Sequence, residues 1–99
     1  MQHKTLHYQK NTIHYYISKK ENFSKTILFT HGLTADYSMF EKQVEYFKNK
    51  FNIILWDLPL HGNSKQCNLI SYNDTADMIY NILMEENIEN IILVGMSIG

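Results

Sequence analysis

The sequence predicts an α/β fold in which an N-terminal antiparallel hairpin leads into a βαβαβ parallel sheet. Three observations carry that expectation. Residues 12–18 alternate between apolar and polar side chains, the period of a strand with one face buried. Three later runs, Ile27-Leu28-Phe29, Ile53-Ile54-Leu55-Trp56 and Ile91-Ile92-Leu93-Val94, are short and continuously apolar, as strands covered on both faces are. Between those runs the apolar spacing changes to that of amphipathic helices.

Leu6 and Tyr8 mark a first strand, weaker in pattern than the second. Gln9-Lys10-Asn11 then supplies a hairpin turn, with the asparagine suited to a left-handed backbone. In the second strand Ile13, Tyr15 and Ile17 point one way, and Thr12, His14, Tyr16 and Ser18 the other. After the run at 27–29, Ser38-Met39-Phe40-Glu41 reads as a capping box, followed by Phe40, Val44 and Phe47 on one helix face. Ser71 with Asp74 repeats the device ahead of a second helix. There Tyr72, Ala76, Ile79 and Leu83 are expected to face inward, with Asn73, Asp77, Asn81 and Glu85 outward. The β-strands joined through these helices must run parallel with right-handed crossovers. No repeat, low-complexity tract or linker interrupts the 99 residues, which read as one small domain.

Composition narrows the function. At 44% hydrophobic and 19% charged residues the chain is globular in character. A formal net charge of -1 gives no electrostatic case for nucleic acid or an anionic membrane, and neither is expected as a partner. The basic residues are all lysine, without the arginine that favours bidentate phosphate contacts. The aromatic residues fall at strand or helix core spacing, not as a platform for stacked bases. Cys67 is the only cysteine, which excludes an internal disulfide and favours a reducing compartment. With no base evident beside it, Cys67 reads as a loop thiol without a role. The N-terminal residues lack the apolar core of a signal peptide, and no apolar run approaches the roughly 20 residues of a membrane span. A cytoplasmic location is the expectation. No Cys/His cluster has metal-ligand spacing and no glycine pattern suits a phosphate, so neither metal nor cofactor is expected.

The chemistry concentrates in three loops that follow the three buried strands: His31-Gly32-Leu33-Thr34, Asp57-Leu58-Pro59-Leu60-His61-Gly62-Asn63-Ser64 and Gly95-Met96-Ser97-Ile98-Gly99. All three fall at the carboxyl edge of the predicted sheet, where open α/β sheets carry their sites. The third matches G-x-S-x-G, the pattern of a strand that ends, turns sharply and presents a serine hydroxyl at the tip of a sheet. Glycines at 95 and 99 suit a strained turn with the chain passing too close for side chains.

In these loops, in their order and spacing, the sequence resembles the α/β-hydrolase family from about residue 3 to residue 99. One departure is Leu60, where the family's loop usually carries a glycine. The resemblance implies that Ser97 is the nucleophile of a serine hydrolase. The backbone N–H groups of Leu33 and Ile98 would form its oxyanion hole, and Gly32 would let the backbone approach a substrate. His31, Gly32, Asp57, His61, Gly62, Gly95 and Gly99 would shape the site loops. Family triads run serine, acid, histidine along the chain, so His31 and His61, which precede Ser97, are expected to order loops instead of acting as base. Asp57 is expected to brace its loop by a hydrogen bond. His3, His7 and His14 belong to the hairpin, expected to lie far from the site edge, either solvated or lining the core.

The implied reaction is acyl transfer to water, cleaving an ester, thioester, amide or lactone bond of a small, largely apolar acyl substrate. Neither a triad acid nor a triad histidine follows Ser97 within the 99 residues. The chain therefore reads as the N-terminal part of an incomplete domain, inactive alone, whose parent protein is the enzyme. A second reading is a complete, catalytically dead product that acts as a binding or pairing module. A third, a small flavodoxin-like binding domain, is disfavoured by the missing phosphate loop. If the strand order follows the family, residues 91–94 form an apolar edge, and the chain alone should be poorly soluble.

Overall fold

The computed structural model of the chain describes residues 1–31, 37–57 and 72–95. Strand β1 (Gln2–Tyr8) pairs antiparallel with β2 (Asn11–Ser18) across a turn at residues 9 and 10. The left-handed residue of that turn is Gln9, at φ 55°, not the expected asparagine. Asn11 is instead a buried strand residue paired with Tyr8, which shortens the connection to two residues.

Strands β3 (Thr26–Thr30), β4 (Asn52–Trp56) and β5 (Ile91–Gly95) coincide with the three apolar runs. The sheet order is β1-β2-β4-β3-β5. β2 pairs antiparallel with β4, whereas β3 pairs parallel with β4 on one side and β5 on the other. The predicted hairpin and parallel sheet are thus one mixed five-stranded sheet.

Helices cover both faces. Helix α2 (Tyr72–Glu85) lays Met78 and Ile82 on Ile13, Tyr15, Ile17, Leu28, Ile54 and Trp56. On the opposite face Tyr16, Ile27, Phe29, Ile53 and Leu55 pack with Phe40, supported by Val44 and Phe47 of α1 (Glu41–Phe47). The alternation of strand residues between these two clusters explains why β3 and β4 read as continuous apolar runs. Strand β5 lies at the edge, with Ile92 45% and Leu93 63% exposed.

Two helix expectations need correction. Ser38 does not cap α1: it lies within a 3-10 turn (Tyr37–Phe40), and Phe40 stands at the N-cap without a side-chain cap bond. The buried face of α2 is centred on Met78 and Ile82, with Ile79 and Leu83 at its margin and Ala76 exposed. Ser71 lies outside the described residues, as does the side chain of Tyr72.

Beyond the last turn of α2, a buried ionic network fastens the helix to the hairpin. The Tyr15 hydroxyl donates to Glu86 Oε2 at 2.6 Å, and Lys4 Nζ donates to both carboxylate oxygens at 2.9 and 3.1 Å. The Lys19 ammonium donates to the Glu86 carbonyl. At the other end of the helix the Tyr8 hydroxyl bridges Asp74 and Asp77 at 3.0 and 3.2 Å. Burial and these two carboxylates push the Tyr8 phenol up to about 12.

Candidate active site

The strand order reverses at β3: the chain steps to β4 on one side and later returns past β3 to β5 on the other. Connections that diverge in this way open a crevice at the carboxyl ends of the strands. The register brings those ends to one level, because Thr30 pairs with both Trp56 and Gly95. The Trp56 indole N–H also donates to Thr30 Oγ1 at 2.9 Å, tying the ends of β3 and β4 together.

His31 and Asp57 are the next residues after β3 and β4, and both are fully buried. The Asp57 carboxylate joins three segments. Its Oδ2 accepts from the Tyr16 hydroxyl at 2.7 Å, and its Oδ1 accepts from the Tyr37 backbone N–H at 2.9 Å. Its own N–H donates to the His14 carbonyl at 3.0 Å. Tyr37 is the first described residue after the His31-Gly32-Leu33 segment, so Asp57 ties the far end of one site loop to the near end of another. A buried carboxylate needs such donors to stay charged away from water. The Tyr16 and Tyr37 rings stack at 3.8 Å between centroids, which holds both donors in place.

Neither Tyr16 nor Tyr37 was legible as part of this edge. Tyr16 stands among the polar residues of an alternating strand, and nothing in its spacing marks a buried partner. His14 also lies nearer the edge than expected, since its carbonyl meets Asp57. Burial lowers the basicity of the His14 imidazole and His3 acts in the same sense, while Asp57 opposes them. The chain ahead of Gly95, on which the expected close approach rests, lies outside the described residues. Among the described residues, a Cβ there would meet no heavy atom within 4 Å.

Gly32, Leu33, His61, Gly62, Ser97, Ile98 and Gly99, like Leu60 and Cys67, lie outside the described residues. A polar groove lined by Lys19, Asn52, Asn87 and Asn90 sits at the amino-terminal edge of the sheet, the opposite end from His31 and Asp57. Among the described residues no group of three or more His, Cys, Asp or Glu side chains converges to hold a metal ion, and no helix is long and apolar enough to cross a membrane.

Residues 25–99 match the model of the alpha/beta hydrolase fold. The chain belongs to the α/β-hydrolase fold family. It is 28% identical over 87 residues to the hydrolase YugF of Bacillus subtilis, covering 86% of this chain and 32% of that protein. It is 33% identical over 76 residues to 2-succinyl-6-hydroxy-2,4-cyclohexadiene-1-carboxylate synthase of Citrobacter koseri, covering 77% of this chain and 30% of that one. The crystal structure of the enol-lactonase of Burkholderia xenovorans superposes with a TM-score of 0.85 at 19% identity, covering 95% of this chain and 37% of that one. The last likeness is one of fold. The chain thus spans about a third of the length of the curated relatives it matches. Among the described residues, His31, Asp57 and Gly95 stand at the carboxyl ends of β3, β4 and β5.

Proposed function

We propose that this α/β-hydrolase chain is the N-terminal part of a serine hydrolase that cleaves ester, thioester, amide or lactone bonds through an acyl-enzyme on Ser97. The observation that carries the reading is the shared level of the ends of β3, β4 and β5. Ser97 follows Gly95 by two residues in the sequence, and Gly95 pairs with Thr30, the residue before His31. The relatives support the reaction class.

A serine hydroxyl is a weak nucleophile until a base takes its proton. In this reading Ser97 Oγ attacks the acyl carbon while a histidine from a later part of the whole protein accepts the proton. That histidine then protonates the leaving group. The N–H groups of Leu33 and Ile98 hold the oxyanion, each contributing about 3 kcal/mol of transition-state stabilisation. Water, activated by the same histidine, releases the acid and restores the serine. Asp57, held by Tyr16 and Tyr37, anchors the chain just before the segment that carries His61 and just after the segment that carries Leu33. The substrate in this reading is a small, largely apolar acyl compound; a relative named 3-oxoadipate enol-lactonase 1, from Acinetobacter baylyi and 28% identical over 91 residues, supports a small lactone within that class but not the apolar character.

The test is p-nitrophenyl acetate hydrolysis by the longer protein that contains these residues, with and without Ser97→Ala. The expected loss in kcat is at least about a thousandfold, and the 99-residue chain alone should be inactive. Turnover that survives Ser97→Ala removes Ser97 from the mechanism.

A further inference from the structure

The hairpin register carries a feature that the spacing of residues 3 and 14 conceals. His3 pairs with Tyr16 and Thr5 with His14, so the two histidines are diagonal neighbours on one face of β1 and β2. Their rings lie 5.0 Å apart between centroids, and His3 Nε2 stands 2.8 Å from His14 Nδ1. Two imidazole nitrogens that face each other can share a single proton, one donating and the other accepting. A divalent cation in place of that proton would accept both lone pairs. With Zn–N bonds of about 2.0–2.1 Å and tetrahedral angles, the nitrogens would stand roughly 3.3 Å apart. A small rotation of the exposed His3 ring supplies the difference.

The support beneath the pair is rigid. His3 stacks on Tyr16 at 4.6 Å, and Tyr16 is held in turn by its stack on Tyr37 and its bond to Asp57. Ligands borne on paired strands and backed by a packed ring keep their geometry, which a surface site needs to bind at all. We propose that His3 and His14 form a binding site for a borderline divalent cation of the Zn2+ class, through His3 Nε2 and His14 Nδ1. No third His, Cys, Asp or Glu joins them among the described residues, so water or an added ligand completes the coordination. Both ligands belong to the hairpin, and the site does not depend on the chemistry assigned to Ser97.

Equilibrium dialysis of the full chain against Zn2+ at pH 7.5 tests the site. Zn2+ is the probe because, unlike Cu2+ or Ni2+, it does not readily displace backbone amide protons near the amino terminus. The chain should bind one ion with an affinity that falls at least about tenfold in both His3→Ala and His14→Gln, and stays unchanged in His7→Ala. His3 is exposed, so its variant reports on binding without disturbing the fold. Unchanged affinity in both variants overturns the proposal. Loss in His3→Ala alone also overturns it, because it places the ion on His3 and the amino terminus. An equal loss in His7→Ala shows unspecific binding by the histidine-bearing face and overturns it too.

Discussion

Among the described residues Asp57 and Glu86 are the two fully or nearly buried carboxylates, and each is held by a tyrosine hydroxyl. At Asp57 the partner is Tyr16. Removing that hydroxyl leaves the carboxylate one donor short in a site closed to water. Tyr16→Phe should therefore lower stability by about 1–3 kcal/mol in a urea titration. A loss below about 0.3 kcal/mol would show that the bond is dispensable. At Glu86, burial raises the carboxyl, but the bonds from Tyr15 and Lys4 and the charges of Lys4 and Lys19 outweigh it and hold the group below 4.5. Because the folded value is depressed, Glu86 contributes stability that is fully present above the unfolded value of 4.5 and disappears as pH falls through the lower folded value. Glu86→Gln should be less stable than the parent at pH 7, with the difference shrinking below about pH 4.5. A difference independent of pH between 3 and 7 would remove the carboxylate from the account. Asp57 was visible in the sequence through its place in a motif loop. Glu86 was not, because a glutamate after a helix looks like any solvated charge until the hairpin brings Lys4, Tyr15 and Lys19 to it.

Strands were more legible than helix details, and the reason is physical. A two-residue period allows only two faces, so Ile13, Tyr15 and Ile17 had to share one. A helix can rotate by small steps without losing its pattern. In α2 the apolar residues Met78, Ile79, Ile82 and Leu83 form one broad stripe, and its centre is set by the surface it meets, here Tyr15, Trp56 and Leu28. Sequence spacing placed the centre at Ile79 and Leu83, about one residue from its true position. Met78→Ala should then destabilise the chain by about 2–4 kcal/mol, as for a deeply buried methionine, whereas Ala76→Ser should stay within about 0.5 kcal/mol. Thermal unfolding of the two variants measures this directly, and equal losses would restore the rotated face. The cap of α1 was misread for a related reason. Ser38 and Glu41 have capping-box spacing, but Tyr37 is drawn to Asp57, and the chain closes a 3-10 turn before the α-helix begins.

At the scale of the molecule, the sheet order places β5 at an edge, with Ile92 and Leu93 exposed on opposite faces. An apolar strand with unpaired backbone groups templates association. The 99-residue chain alone should sediment as associated species, and Leu93→Lys should raise the fraction of monomer. A monomeric, cooperatively unfolding parent chain would contradict that. The same order brings the ends of β3, β4 and β5 to one level, and it is this arrangement that gives a five-residue serine motif its meaning. The family was legible because three loops occur in order. The depth of the site was not, because Tyr16 and His14 reach it only through the pairing of β2 with β4, and Tyr37 through its N–H bond to Asp57.

Covalent labelling tests the proposed role of Ser97 as nucleophile most directly. The longer protein is treated with a fluorophosphonate, which phosphonylates an activated serine, and the modified peptide is sequenced by mass spectrometry. A single adduct on Ser97 that prior denaturation prevents is expected. An adduct on another residue, or equal labelling of the Ser97→Ala variant, would contradict that role.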